Sequence, residues 1–393
     1  MDTKMNFLVY RWNAYNQFDL EKNLSAMGHN LDIYSHEPKN CDYDEAFSVE
    51  FSRKLQQGKY DAVISINYFT IVSNACEAHG TIYIAWNCDS PLFSMQNQSI
   101  FNRCNRIFCF DYLDYMKLKK QGVEHVWHLP LCADTGRIDA LLRDKCEQIE
   151  NYRGELAFVG SLYEENSYDS LKETLPEYIR GYCDAAVLAQ TNISGGNILD
   201  RMITDDILME IEEIFDVKQE KDSFVEASDI FINNVLGYKA ASDTRISVLS
   251  ALGESTTVEL YSQSGRALPP GVRKHGTVSY WSEMPLVFAG SDINLNITIP
   301  NIRSGVPLRV FDVLAAGGFL ITNYQPELSM LFEIGRDLVV YDDTEDLLQK
   351  VLYYKTHPQE RKSIAENGRK KVEDLHTYSH RLQEMLEKAS GIG

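Results

Sequence analysis

The stretch Asn301–Asn323, NIRSGVPLRVFDVLAAGGFLITN, decides the fold class of this chain. A polar loop through Ser304 and Gly305 leads into a short apolar helix, which two glycines end before the strand Phe319–Thr322. A helix followed closely by a buried strand is typical of α/β proteins, in which helices cross over between parallel strands. The stretch therefore predicts alternating strands and helices in this part of the chain.

The same stretch predicts a binding site for an anion. The first amide groups of a helix lack intrahelical partners, and the helix dipole is positive there. Asp312, inside the helix, can accept hydrogen bonds from sugar hydroxyls, and Arg309 presents a fork of donors that suits phosphate oxygens. A phosphate site beside a hydroxyl-binding carboxylate is what a nucleotide-sugar requires. The loop and first helical residues that would form it are Ser304, Gly305, Val306, Pro307 and Leu308.

Structural roles remain open for these residues. Asp312 can be an exposed helix residue, or it can form a structural ion pair with Arg309 three positions earlier. We favour a functional Asp312 because aspartate is a weak helix former and a buried carboxylate requires partners. Gly305 can be a simple turn residue, and Arg303 is a second candidate for phosphate contact.

Composition excludes some classes of protein. With 393 residues the chain is expected to form two or three domains. The hydrophobic share of 44% and the charged share of 24% are those of an ordinary globular protein. The formal net charge of -19 argues against non-specific nucleic-acid binding, which depends on cations at phosphates. An anionic ligand must therefore be held by a few local Arg or Lys residues.

The cysteines and the amino terminus predict a cytoplasmic protein without a membrane span. The eight cysteines include no C-x-x-C pair, which favours reduced thiols over a disulfide framework or a zinc site. The first residues, MDTKMNFLVYRWN, lack the features of a signal peptide. No apolar run approaches the ~18 residues of a membrane helix.

Strands and helices alternate in the first third of the chain. The expected strands are 6–10, 31–34, 60–66, 81–86, 106–110 and 126–131. Helical segments at 19–27, 44–57, 70–79 and 112–121 lie between them, each followed by a glycine. This alternation with short turns predicts a doubly wound parallel sheet.

A second set of elements follows the charged segment 132–153. Its expected strands are 156–161, 258–261, 275–280, 293–298, 319–322 and 338–341, with a mainly helical insertion at 168–240. We predict an α/β protein with two Rossmann-like doubly wound domains, 1–150 and 151–378, facing across a cleft. The C-terminal helix 379–393 is expected to join the first domain. Ligands of such sheets bind at the carboxyl ends of the strands.

Three stretches in this order carry a family resemblance: HLPLCADT at 128–135, LAFVGSLYEEN at 156–166 and SGVPLRVFDVLAAGGFLITN at 304–323. AWNCDSP at 85–91 and IFCFD at 107–111 add to it. The chain resembles GT-B glycosyltransferases, especially the CgeB-like (spore maturation protein) group, which is distantly related to glycosyltransferase family 4. The resemblance implies a metal-independent enzyme with a nucleotide-diphosphate sugar, by default a UDP-sugar, as donor and no further cofactor. The acceptor is left unidentified.

The chain departs from the family 4 pattern of two glutamates separated by seven residues. Aligned on that pattern, Asp312 takes the second position and would bind the ribose hydroxyls. Ser304 takes the first position and cannot supply the charge that usually engages the donor sugar. An alternative is therefore a catalytically weak nucleotide-sugar binding or scaffold protein in a polysaccharide or spore-coat pathway. An epimerase of GT-B fold is a third hypothesis.

Two further segments are candidates for the donor site. The turn at Ser161, directly after a predicted strand, would bring more amide groups to the phosphates. The segment HGTVSYW at 275–281 corresponds to the place where GT-B enzymes hold the base, so Tyr280 or Trp281 would stack on it. Both rings can equally be core aromatics.

Acceptor-side candidates follow strands of the first domain. Asp89 is the first choice for a general base or acceptor-binding carboxylate, and Asp111 is the second. The alternative for Asp89 is a turn or cap residue before Ser90. Arg309 would neutralise charge on the leaving diphosphate.

A metal site is not expected. The D-x-D sequence at Asp42 and Asp44 is the metal motif of a different glycosyltransferase fold, and it lacks the preceding apolar strand that would aim its carboxylates. The segment after Asp44 is helical, so this residue is predicted to be a helix cap.

Overall fold

The computed structural model describes residues 4–214 and 222–390. These residues form two compact units. Residues 4–131, 222–225 and 378–390 belong to the first, and residues 132–214 and 226–377 to the second. The division after residue 131 precedes the boundary expected from composition, because the segment from 132 to 153 folds onto a helix of the second unit.

The first unit is built on a six-stranded parallel sheet of order β2-β1-β3-β4-β5-β6. Its strands are β1 Asn6–Tyr10, β2 Asn30–Tyr34, β3 Ala62–Ile66, β4 Ile82–Asn87, β5 Asn105–Cys109 and β6 Val126–His128. Its helices are α1 Gln17–Ala26, α2 Glu45–Gln57, α3 Thr70–His79, α4 Tyr112–Lys120 and α17 Tyr378–Ser390.

Apolar side chains on both faces of this sheet explain why helices cover it on both sides. The central strand β3, AVISI, is buried along its whole length, as expected for a parallel strand covered by helices on both sides. Phe47 and Phe51 of α2 stack at 5.5 Å and contribute to the core on one face. The last helix, α17, packs on this unit through Tyr378, whose ring meets Trp86 edge-on at 5.8 Å.

The second unit contains another six-stranded parallel sheet, of order β12-β11-β10-β7-β8-β9. Its strands are β7 Gly154–Val159, β8 Val258–Tyr261, β9 Val272–Lys274, β10 Ser291–Asn296, β11 Leu320–Asn323 and β12 Val339–Tyr341. Its helices are α5 Thr135–Asp144, α6 Ser167–Leu171, α7 Glu177–Gln190, α8 Leu199–Met202, α9 Asp205–Glu212, α10 Ala227–Ile230, α11 Tyr238–Ser255, α12 Met284–Gly290, α13 Leu308–Ala315, α14 Leu328–Leu331, α15 Thr344–Lys355 and α16 Pro358–Leu375.

The expected helical insertion of the second unit lies between β7 and α11. Helices α6 to α9 and the π-helical stretch that follows α10 contribute to a hydrophobic cluster that includes Tyr168, Ile179 and Phe231. A π-helical stretch, Phe231–Gly237, joins the insertion to α11. The insertion therefore has enough buried apolar surface to hold its shape beside the sheet.

One predicted strand is wrong. The segment 275–280 was expected to be extended, but the strand of this region is β9, which ends at Lys274. Gly276 has a φ of +77°, a left-handed conformation that ends the extended run. The segment therefore forms a loop, which brings Tyr280 toward α13.

Candidate functional site

The order of strands in the second unit marks where a ligand can bind. From β7 the chain proceeds outward through β8 and β9, and from β10 it proceeds the other way through β11 and β12. The direction reverses between the adjacent strands β7 and β10. In open α/β sheets, ligands bind outside the carboxyl ends of the strands at such a switch point. The loops that begin there are those starting at Gly160 and Ile297.

The loop after β10 leads into α13 as the sequence predicts. Pro307, at φ -69°, is the residue before the helix rather than part of its first turn, and no side chain caps the helix start. Gly317 ends the helix with a φ of +74°. At Gly318 a Cβ atom would lie only 2.7 Å from the side chain of Asn294 and 2.9 Å from the carbonyl oxygen of Phe288, which explains the second glycine.

Asp312 lies on the buried face of α13. Its side chain is 4% exposed, so it is not an exposed helix residue. Tyr280 donates a hydrogen bond from its hydroxyl to Asp312 Oδ1 at 3.2 Å. Burial raises the pKa of Asp312 to about 6, although the charges of Arg309 and Arg137 and the bond from Tyr280 act in the opposite direction. The site thus contains a carboxylate that is costly to ionise and is held by a hydroxyl group.

Arg309 connects α13 to the end of β7. Its Nη1 donates to the carbonyl oxygen of Val159 at 2.9 Å, and its guanidinium lies 5.3 Å from the ring centre of Phe288. Its charge also lowers the pKa of Asp312. Arg309 therefore places a positive charge beside both the carboxylate and the switch point.

Arg137 belongs to this group of residues, although no sequence pattern singled it out. It lies on α5, whose start is capped by Asp134. Its guanidinium lies 5.2 Å from the ring centre of Tyr280 and 4.7 Å from that of Trp281. Tyr280 and Trp281, one of which we expected to stack on a base, thus both contact a cation, and Tyr280 also contacts Asp312.

Ser304 contacts a carboxylate that lies later in the chain. Its hydroxyl donates to Glu327 Oε1 at 2.7 Å, and the amide of Glu327 donates to the carbonyl oxygen of Ser304 at 3.2 Å. The two residues are 4% and 2% exposed. Glu327 immediately precedes α14. In the sequence its only signal is PEL shortly after β11, which is too short to indicate a site.

The remaining donor-side candidates have the following neighbours. Arg303 forms an ion pair with Asp200 of α8 at 2.7 Å. Ser161 accepts a bond at its Oγ from the amide of Tyr163, and its carbonyl oxygen accepts from Arg245 Nη1 at 2.6 Å. Val306 is buried and Leu308 is half-buried. These contacts fix the two loops of the switch point.

The acceptor-side candidates lie in the first unit. Asp111 is fully buried and caps α4, accepting hydrogen bonds from the amides of Leu113 and Asp114. Asp89 is exposed and accepts from the side-chain amide of Asn67 at 2.6 Å. Nearby protein desolvates its carboxylate and raises its pKa. Of the two, Asp89 is thus the one open to a ligand.

Asp44 of the D-x-D sequence is a helix cap, as predicted. Its carboxylate accepts from the amide of Phe47 at the start of α2. Within residues 4–214 and 222–390, no cluster of three or more His, Cys, Asp or Glu side chains has the arrangement of a metal site. Across the same residues, no helix combines the length and the apolar character needed to cross a membrane.

Comparison with known proteins agrees with this geometry. Residues 239–387, which include α13 and Glu327, match the family model described as glycosyl transferase-like. No curated protein matches the chain. Among solved structures, a glycosyltransferase from Rickettsia africae is similar, with 10% identity, a TM-score of 0.54 and coverage of 99% of both chains.

Two more structures have the same architecture. The sucrose-phosphate synthase of Thermosynechococcus elongatus matches with 9% identity and a TM-score of 0.52 over 98% of both chains. Anabaena Alr3699/HepE in complex with UDP-glucose matches with 9% identity and a TM-score of 0.52, over 99% of this chain and 100% of that one. With its two parallel α/β sheets, the chain thus has the fold of GT-B glycosyltransferases.

Proposed function

We propose that the protein is a glycosyltransferase that transfers a hexosyl or N-acetylhexosaminyl group from a UDP-sugar to an acceptor, without a metal ion. The observation that carries this proposal is the buried carboxylate of Asp312 on α13, which accepts a hydrogen bond from the hydroxyl of Tyr280. The family match covers this helix. Among the similar folds, Anabaena HepE binds UDP-glucose and also UDP with glucose.

The donor nucleotide would bind through Asp312 and the start of α13. The ribose hydroxyls would donate to Asp312, replacing or joining the hydroxyl of Tyr280. The diphosphate would lie at the amides that begin α13, where no side chain caps the helix. Arg309 would add positive charge as the diphosphate leaves. Most of the rate enhancement would come from positioning and charge neutralisation.

Glu327 supplies, in this proposal, the carboxylate that Ser304 lacks. Its Oε1 lies 2.7 Å from the Ser304 hydroxyl, at the position where the family pattern has its first glutamate. A carboxylate does not have to come from the loop itself if the fold brings one to the same place. This contact favours a working enzyme over the scaffold alternative, which the serine alone had suggested.

Asp89 is our proposed general base or acceptor-binding carboxylate. It is exposed, and desolvation by the surrounding protein raises its pKa, which makes its carboxylate a stronger proton acceptor. Asp111 is less suitable because its carboxylate already accepts bonds from two backbone amides.

Ligand-induced stabilisation and turnover test the proposal together. We expect UDP and one UDP-sugar to raise the melting temperature, since a ligand at 100 times its Kd adds about 2.7 kcal/mol of stability. We also expect slow release of UDP from that UDP-sugar, with EDTA leaving the rate unchanged. Binding without any turnover would favour the scaffold, and a new nucleotide-sugar formed without acceptor would favour the epimerase. Full loss of activity in EDTA, restored by Mn²⁺, would refute metal independence.

A further inference from the structure

A small cavity lies at the carboxyl ends of β10, β11 and β12. The loop 191–196 of the helical insertion forms one wall, and the start of the loop after β10 forms another. The volume is about 70 Å³. One enclosed water needs ~10–15 Å³, so the cavity has room for several hydroxyl groups but not for a nucleotide. Its polar lining includes Arg245, Thr298, Asn323, Gln325 and Asp342.

Two polar groups of the lining have no hydrogen-bond partner among the described residues. One is Oε1 of Gln325, a side chain that is 2% exposed. The other is Nε of Arg245, whose two Nη atoms donate to the carbonyl oxygens of Ser161 and Ile297, each at 2.6 Å. A buried polar group without a partner destabilises a protein, so such groups indicate where water or a polar ligand binds. One of the two atoms is an acceptor and the other is a donor.

The chemistry of the lining selects the ligand. A hydroxyl group can donate to the acceptor of Gln325 or accept from the donor of Arg245, so a ligand with several hydroxyl groups suits both. Among the described residues that line the cavity, Arg245 is the only cation, and the carboxylates of Asp342 and Asp343 offset its charge, so the cavity does not favour a phosphate. We propose that this cavity binds one edge of a sugar ring through the hydroxyl groups of that edge.

The wall formed by the insertion is preorganised. Gln190 donates to the carbonyl oxygen of Gly196 at 3.0 Å and accepts from the amide of Ile198 at 2.8 Å, which fixes the loop at both ends. Gly195 has a φ of +70°, and a Cβ atom there would lie 2.6 Å from the ring of Tyr324. A rigid wall lowers the entropic cost of binding a small polar ligand.

The cavity adjoins the proposed donor site. Gln325 donates from its other amide atom to the carbonyl oxygen of Ile302, at 3.4 Å, in the loop that leads to α13. The sugar can therefore be that of the nucleotide donor, in which case this inference rests on the proposed function. It can equally be a separate carbohydrate.

The test compares Gln325→Leu, which removes the acceptor, with the unmodified protein. Gln359→Leu on the exposed face of α16 is the control for the same chemical change. Calorimetric titrations would use UDP, the UDP-sugars of glucose, galactose and N-acetylglucosamine, and the three free sugars with and without UDP. Melting temperatures would verify that each variant is folded.

If the donor supplies the sugar, Gln325→Leu weakens binding of one UDP-sugar about tenfold and leaves UDP binding unchanged. If the carbohydrate is separate, a free sugar binds in the presence of UDP and Gln325→Leu abolishes that binding. The inference would be overturned if Gln325→Leu bound every sugar-containing ligand as tightly as the unmodified protein does. Absence of UDP binding would instead refute the proposed function, while the free sugars still report on the cavity.

Discussion

The two units hold their candidate carboxylates differently. In the first unit, Asp111 accepts bonds from backbone amides, and Asp89 accepts from the side-chain amide of Asn67. In the second unit, Asp312 and Glu327 accept from the hydroxyls of Tyr280 and Ser304. We call the last two the hydroxyl-held carboxylates. Ligand hydroxyls offer the same kind of donor, so a hydroxyl-held carboxylate can exchange its partner for a sugar.

The difference also concerns distance along the chain. Asp111 caps residues two and three positions away, so its bonds form with the helix itself. The partners of the hydroxyl-held carboxylates are 32 and 23 residues away. Such contacts fix loops that the local sequence would leave free. Buried carboxylates are costly to ionise, and they occur often in binding and catalytic sites.

The largest expected effect concerns the stability of the protein with Asp312→Asn. Because burial raises the pKa of Asp312 from 3.8 to about 6, the folded state retains a proton that the unfolded state loses in this range. The contribution of Asp312 to the free energy of unfolding is fully present below pH 3.8 and is lost as the pH rises through 6. Above pH 6 the asparagine variant should exceed the unmodified protein by up to about 3 kcal/mol in free energy of unfolding.

Urea unfolding at several values between pH 5 and pH 8 would measure this difference. It should grow with pH up to about 6 and then stay constant. A difference that is independent of pH would show that Asp312 is ionised throughout this range. Burial would then not distinguish Asp312 from the carboxylates of the first unit.

The second prediction concerns nucleotide binding. Asp312→Ala and Arg309→Ala should each weaken UDP binding by about 1.5–3 kcal/mol, the range of hydrogen bonds to charged groups. Asp111→Ala serves as the matched control and should leave the Kd for UDP unchanged, because its carboxylate caps a helix. Calorimetric titration measures all three. An unchanged Kd in Arg309→Ala would remove that residue from the site.

The third prediction separates Glu327 from Ser304. Glu327→Gln should lower the rate of UDP release from the UDP-sugar about tenfold, which corresponds to ~1.4 kcal/mol in activation free energy. The Kd for UDP should stay the same. The exchange variant with Ser304→Glu and Glu327→Gln should recover part of that rate, since it returns the carboxylate to the loop. No recovery in a folded exchange variant would mean that Glu327 only fixes the loop.

The smallest expected effect concerns the first unit. Asp111→Ala removes the cap of α4 and should lower the free energy of unfolding by about 1 kcal/mol. Asp111→Asn should lower it less, because asparagine also caps helices. Turnover per folded molecule should remain unchanged in both variants. A large loss of turnover with intact stability would make Asp111 the acceptor-side carboxylate in place of Asp89.

The sequence predicted most of the architecture. Buried runs such as AVISI and the helix before Gly317 depend on near neighbours and on the repeat of apolar residues, so they can be recognised locally. The segment 275–280 was mistaken for a strand because its alternation of residues resembles one, while Gly276 adopts a left-handed conformation. Position 312 was selected because an acidic residue in an apolar helix requires a partner.

By itself, then, the sequence determined the two parallel sheets, the helical insertion and the presence of a carboxylate inside α13. Only the tertiary structure brought Arg137 to Tyr280, Glu327 to Ser304 and Arg245 to the ends of two neighbouring strands. The physical reason is the separation along the chain of the residues that must interact. Helices and strands follow from periodicities of a few residues, whereas a binding site depends on where distant loops meet once the sheet has formed.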